Sequence, residues 1–236
     1  MHSGTSKSPD SEERGAFFGR RKGKALRRGQ ARLIETLLPQ LAIDLSQPAP
    51  AELSSLFPVP VDQTRLEIGF GGGEHLIAQA LDNPRCGFIG VEPFLNGMAK
   101  ALIAIEANGL RNVRLHHADA TALLAWLPPA SLDRVDLLYP DPWPKRKHQK
   151  RRLVNPATLD MLARVMRSGA ELRFGTDIGD YARSALTAFA AEPRFVWQAD
   201  GPADWRVRPG DWPETRYEAK AVREGRRRYY FRFRRV

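Results

Sequence analysis

Acidic residues recur at one kind of place in this chain: at the carboxyl ends of short apolar runs that read as strands. "RLEIGF" carries Glu67 within it, "CGFIGVE" ends on Glu92, "VRLHHAD" on Asp119 and "AELRFGTD" on Asp177. The remaining acid is Asp141, in "LLYPDPWPKRKHQKRR", where Pro140, Pro142 and Trp143 frame it. A proline fixes its own φ and restricts the residue before it, so this carboxylate is expected to be preset rather than mobile. Directly after it, Lys145, Arg146, Lys147, Lys150, Arg151 and Arg152 put six positive charges into eight residues. A single acid at a strand end is ordinarily a cap or turn residue, and Asp119 before "ATALLAW" suits an N-cap. Five along one rim suit a cationic ligand, and the polycation beside them suits phosphate.

No Ser/His or Cys/His arrangement accompanies these acids. His116 and His117 follow the alternation of a strand, and His148 sits within the basic tract, so none reads as a base or a metal ligand. No metal site is expected. The single cysteine, Cys86, rules out an internal disulfide and reads as a small core residue.

The strand-like runs alternate with helical stretches: "GEHLIAQALDN", "LNGMAKALIAIEANGL", "ATALLAWLP" and "PATLDMLARVMRSG". In the last of these, Asn155 suits the N-cap, Pro156 the first turn and Gly169 the stop. Strands separated by single helices imply right-handed crossovers and a parallel α/β sheet covered on both faces. Ligands in such sheets bind beyond the carboxyl ends of the strands, where the five acids lie. With 236 residues and 42% hydrophobic content, the chain suits one domain with short extensions.

Before residue 64 the expected organisation is a disordered tail over 1–15, then a basic arm, short helix and Pro-rich linker over 16–63. The arm is "FFGRRKGKALRRGQ", the helix "QARLIETLLPQL" and the linker "SQPAPAELSSLFPVP". Neither a signal-peptide core nor a membrane-length apolar run occurs, so the expected location is cytoplasmic, without membrane association. The formal charge of +10 is clustered over 20–28, 145–152 and Arg223–Arg235, which favours nucleic acid as the partner. The final "RRRYYFRFRR" alternates arginine with aromatics and is expected to form an edge strand.

The glycines of "LEIGFGGGEHL" let the backbone approach a ligand closely. A dinucleotide fingerprint, however, wants a small residue where this chain has Glu74, and a carboxylate there repels pyrophosphate. That disfavours a nicotinamide-dependent oxidoreductase. Glu92 suits two ribose hydroxyls, and the acidic rim suits the sulfonium and amino groups of S-adenosylmethionine.

At these residues the chain resembles a known family. "LEIGFGGGEHL" resembles the first motif of class I S-adenosylmethionine-dependent methyltransferases. "LLYPDPWPKRKHQKRR" together with "TRYE" (215–218) is similar to the bacterial tRNA (guanine-N7)-methyltransferases, the TrmB family. The resemblance spans roughly residues 64–236 and implies a Rossmann-like fold. That fold has a seven-stranded, mostly parallel sheet with helices on both faces and a C-terminal antiparallel strand. It also implies that Glu67, Gly69, Gly71, Glu92, Asp119 and Asp141 contact S-adenosylmethionine, with Asp141 as the catalytic acid. Lys145, Asp177, Thr215, Arg216, Tyr217 and Glu218 would contact substrate, and Lys147, His148, Gln149, Lys150, Arg151 and Arg152 would face RNA. The implied reaction forms 7-methylguanosine at position 46 of the tRNA variable loop, with tRNA as partner and no obligate protein partner.

The chemistry agrees with such a site. Guanine N7 carries no proton, so methylation needs alignment and desolvation rather than a general base. A carboxylate can still accept from guanine N1–H and N2–H₂ together, or stabilise the positive charge that grows on the base. Asp141, Asp177 and Glu218 are candidates for these two roles. Trp143 suits packing on a base, or equally a wedge that fixes the prolines. Thr215 to Glu218 also fits a helix capping box, which would account for both side chains without a ligand. An alternative of a different class is an RNA-binding module or partner subunit on an inactive methyltransferase fold, which the intact acids disfavour.

Overall fold

The computed structural model describes residues 23–236. The expected tail and the first part of the basic arm lie outside the described residues. From Arg28 onward the chain forms α1 (Arg28–Thr36) and α2 (Leu38–Leu41), divided where Pro39 removes a backbone donor, then a 3-10 helix at Leu53–Leu56. Five βα units follow: β1 (Gln63–Ile68), α3 (Glu74–Asp82), β2 (Cys86–Val91), α4 (Leu95–Asn108), β3 (Val113–His116), α5 (Ala120–Trp126), β4 (Leu132–Leu138), α6 (Pro156–Val165), β5 (Met166–Thr176) and α7 (Gly179–Ala190). The chain ends in β6 (Phe195–Trp197), α8 (Ala203–Arg206), α9 (Arg216–Arg223) and β7 (Tyr229–Arg235).

One seven-stranded sheet results, ordered β3-β2-β1-β4-β5-β7-β6. The first five strands are mutually parallel, and β7 runs antiparallel between β5 and β6. The expected class is therefore present. The order reverses between β1 and β4, which puts the switch point where the acids of both strands emerge. Two apolar clusters fill the space between sheet and helices. One joins Leu66, Val135, Leu159, Phe174 and Phe231, and the other joins Leu33, Leu76, Met98, Leu102 and Val113.

Three local expectations are corrected. The Pro-rich stretch read as a linker is part of the main core, with Leu53 and Phe57 buried there. Gly169 does not stop a helix. The helix α6 ends at Val165, β5 starts at once, and Gly169, at φ +86°, lies in a register shift where Leu132 pairs Met166 but Arg134 pairs Glu171. A left-handed residue within a strand bulge explains the glycine. Finally, "RRRYYFRFRR" is not an edge strand. β6, only three residues long, covers its outer side. The aromatic face of β7 expected from the alternation is present: Phe231 stacks on Phe174 and Phe233 on Phe189. Cys86 is buried, and burial pushes its thiol up to about 11. No helix among the described residues is long and apolar enough to cross a membrane.

Candidate active site

Beyond the carboxyl ends of β1, β2 and β4 lies a cavity of about 380 Å³. Its floor is the turn after β1, where Gly69, Gly71 and Gly73 all take positive φ. Gly71 sits at φ +60°, where a side chain is strained, and a Cβ there would press on Arg216 Nη2 at 3.1 Å. A Cβ on Gly97, in the first turn of α4, would stand 2.2 Å from the Gly71 carbonyl oxygen. Two glycines thus let the turn and α4 touch and keep the floor thin. The Glu74 carboxylate folds back on the turn, its Oε1 standing 2.5 Å from where a Gly72 Cβ would be. A carboxylate at that turn disfavours a pyrophosphate, in line with the expectation from sequence.

Glu92, at the end of β2, is buried and oriented by two backbone donors: Gly71 N–H at 2.6 Å and Phe94 N–H at 2.8 Å. Each takes a different carboxylate oxygen, leaving a lone pair on each for ligand hydroxyls. Burial raises the Glu92 pKa against those hydrogen bonds, and the negative charge of Asp141 adds to the rise. Asp119 also lines the cavity while capping α5 through Thr121 N–H at 2.7 Å. Phe94, Thr121, Tyr139 and Thr158, which carry no sequence signal of their own, also line the wall, as does the helix cap Asn155.

Asp141 stands on the same wall, held in an unusual backbone. Tyr139 and Trp143 on either side of Pro140-Asp141-Pro142 both adopt left-handed φ, +53° and +42°. Such φ is costly for bulky residues. The surrounding wall holds it: Arg151 lies over the Trp143 ring at 5.1 Å, His148 meets its edge, and Arg152 Nε donates to the Pro142 carbonyl at 2.9 Å. This favours the expectation of Trp143 as a wedge over a stacking platform. Although open to solvent at the rim, Asp141 has its carboxyl pushed above the usual aspartate value by desolvation.

The structure does not bring every expected residue into this cavity. Glu67 lies beneath it, its Oε2 2.8 Å from His75 Nδ1, with both side chains buried. Burial opposes charge on that imidazole, yet the Glu67 carboxylate holds its pKa above the ordinary value. Arg216 and Tyr217 line the cavity beside Gly71, whereas Thr215 and Glu218 do not. Thr215 Oγ1 accepts from Glu218 N–H, half of the capping box. The other half is absent: the Glu218 carboxylate turns to the Tyr230 hydroxyl at 2.5 Å and Arg208 Nε at 3.3 Å. Asp177 accepts from Arg226 Nε at 2.7 Å. Lys145 is exposed at the start of a 3-10 helix, Arg146–Arg151, which carries the basic tract.

Within that tract Lys147 and Lys150 are exposed, and Lys150 and Arg151 reach the cavity wall. Gln149 donates to Asp180 at 3.0 Å. Arg152 differs from the rest. It is 3% exposed, pairs with Asp180, donates to Ser184 and lies over Tyr181, so its guanidinium braces the loop from inside. That burial argues against the RNA contact expected of it. Among the described residues, no group of three or more His, Cys, Asp or Glu side chains could hold a metal ion.

Residues 62–231 match the family described as "Putative methyltransferase". A tRNA (guanine-N(7)-)-methyltransferase of Rhizobium meliloti is 57% identical over 221 residues, covering 94% of this chain and 95% of the relative. The protein of that name from Rhizobium etli is 56% identical, over 94% and 96%. Among solved structures, the 16S rRNA methyltransferase KamB superposes with TM-score 0.54 at 18% identity, over 80% of this chain and 95% of that one. TrmN from Thermus thermophilus gives 0.53 at 18%, over 77% and 46%. The structural likenesses concern the fold alone.

Proposed function

Because the chain belongs to the tRNA (guanine-N(7)-)-methyltransferase family, we propose that it methylates guanine N7 in tRNA, at position 46 of the variable loop, with S-adenosylmethionine as donor. The observation that carries this reading is one cavity wall shared by the Glu92–Gly71 cradle, the fixed Asp141 carboxylate and the cations Lys150 and Arg151. The residues fit that donor: a glycine-floored cavity has room for close backbone approach, and the carboxylates of Glu92, Asp119 and Asp141 on its wall can meet the donor's cationic groups. S-adenosylmethionine, when bound, supplies an electrophilic methyl group on a sulfonium. Glu92 presents its two remaining lone pairs to ribose hydroxyls, and Asp119 extends the acidic wall beside it.

Guanine N7 attacks through its lone pair and loses no proton, so Asp141 is not a base in this scheme. Its carboxylate stands where positive charge grows on the purine, and its rigid backbone means little reorganisation during reaction. Asp177 and Glu218 each already hold an arginine, and would read the guanine edge only by exchanging that partner for the base. Of "TRYE", Arg216 and Tyr217 line the cavity and would touch substrate directly. Since N7 of a paired guanine lies in a deep, narrow groove, the target base must be unstacked to enter. Lys147, Lys150 and Arg151 then hold neighbouring phosphates, and tRNA as substrate puts the enzyme in the cytoplasm.

Transfer of labelled methyl to tRNA lacking 7-methylguanosine, with cleavage at the modified base, tests the proposal. Label at N7 of guanine 46 is expected. Label at N1 or N2, or none, refutes it.

A further inference from the structure

The basic arm before α1 enters the described structure at Gly23, and it enters against the cofactor cavity. Asn96, in the first turn of α4, holds it there with both ends of its side-chain amide. Asn96 Oδ1 accepts from Gly23 N–H at 2.7 Å, and Asn96 Nδ2 donates to the Lys24 carbonyl at 2.7 Å. One amide thereby satisfies two successive backbone groups, as a neighbouring strand would. A Cβ on Gly23 would stand 2.7 Å from Asn96 Oδ1 and 2.9 Å from the Phe94 ring, so a side chain there must displace the Asn96 amide or the arm. Phe94 is itself cavity wall, and its N–H orients Glu92. Further along, Leu33 of α1 packs with Met98 and Leu102 of α4, and Arg32 makes a two-pronged ion pair with Glu106 at 2.8 and 2.9 Å. The arm is thus attached to α4 at three levels, the first at the cavity lip.

Lys24, Arg27 and Arg28 are exposed on this stretch and make no ion pair with another described residue. The lip they decorate follows β2, whereas the Lys147–Arg151 tract follows β4. Because β2 and β4 flank β1, the two basic surfaces stand on either side of the switch point.

We infer that Asn96 is a positioning residue for RNA: by clamping Gly23–Lys24 to the cavity lip, it fixes Lys24, Arg27 and Arg28 as a second phosphate-binding surface opposite the Lys147–Arg151 tract. Two surfaces flanking the cavity hold the nucleic acid on both sides of the extruded base, so the clamp orients the substrate as well as attracting it. The inference rests on the proposed tRNA reading.

The test measures tRNA affinity against salt for the full chain and for Asn96→Ala, Gly23→Ala and Lys24→Ala/Arg28→Ala. The double variant should flatten the log–log salt slope by about 1 to 2, the value for one or two lost phosphate contacts. Asn96→Ala removes no charge, yet should flatten the slope by a similar amount and raise KM for tRNA several-fold more than it lowers kcat. A residue that only stabilised the fold would leave the slope alone. Gly23→Ala breaks the same clamp from the arm side at an exposed position, and decides the matter if Asn96→Ala fails to fold by circular dichroism. Wild-type slopes in Asn96→Ala and Gly23→Ala overturn the inference. The tRNA reading fails differently: the unaltered chain would then put no methyl group on tRNA.

Discussion

Two cavities lie at opposite ends of the sheet, and the larger is not the one suited to methyl transfer. At the amino ends of β1, β4 and β5, a cavity of about 830 Å³ is lined by Arg65, Arg134, Arg167, Arg173 and Arg208 together with Asp82, Asp133, Glu171 and Asp211. Most of those charges answer one another. Arg134 pairs with Asp136 at 3.0 Å, Arg167 with Asp133 at 2.8 Å, and Arg173 with both Glu171 and Asp211. At the carboxyl ends, Glu92 and Asp141 line the smaller cavity and form no salt bridge with another described residue, Arg216 acting on Glu92 only from a distance. A polar cavity that neutralises itself supports the fold. One that leaves raised-pKa carboxylates facing open space is prepared for a ligand.

That contrast is sharpest at its largest expected effect. Arg134→Ala removes the salt-bridge partner of buried Asp136 and leaves it only the field of Arg173, its neighbour on β5, so it should cost up to about 3–5 kcal/mol of stability, read by denaturant unfolding, with cofactor affinity kept. Asp141→Asn keeps the size of the side chain and removes its charge. It should lower kcat by roughly 10²–10³ in single-turnover methylation while leaving the unfolding midpoint unchanged. If Arg134→Ala instead lost activity at full stability, or Asp141→Asn lost stability at full activity, the comparison would be inverted.

Gly97→Ala drives a methyl into the Gly71 carbonyl and should weaken S-adenosylhomocysteine binding by about 10–100-fold in calorimetry, the range for overpacking a tight contact. Glu92→Gln tests the burial argument by pH. The folded pKa of Glu92 is raised above its unfolded value, so the folded state binds that proton more readily. Ionised Glu92 therefore costs stability at neutral pH, and the cost disappears as pH falls through the raised value. The ligand-free wild type should therefore gain stability as pH falls through that value, and Glu92→Gln should lose this pH dependence while binding cofactor more weakly, since its amide can accept from only one of the two backbone donors. The smallest effect belongs to Lys147→Ala/Lys150→Ala/Arg151→Ala, which should flatten the salt dependence of tRNA binding by about 0.7–0.9 per lost phosphate contact.

Comparing residues shows where sequence suffices. The βα alternation, the Asn155 and Asp119 caps, the glycine turn and the position of Glu74 beside it are local matters. They follow from residue type at short spacing, and the structure repeats them. Gly97 was not legible, because its reason is a carbonyl oxygen in a different βα unit. His75 was not legible either, since its buried pairing with Glu67 requires the turn of α3 onto β1. The basic tract misled in one place. Seen as sequence, Arg152 is one more cation in a run; in three dimensions Asp180, Ser184 and Tyr181 enclose it.

By itself, then, the sequence determined the fold class, the rim that collects the acids, and the adjacency of Asp141 to a polycation. Those depend on hydrophobic period and on covalent neighbourhood, both of which a linear chain carries. Only the tertiary structure decided which acids stay available, since that depends on which arginines arrive from elsewhere. Arg208 and Arg226 hold Glu218 and Asp177, whereas Glu92 and Asp141 are left facing the cavity. Charge has a sign in the sequence, but acquires a partner only when distant segments meet.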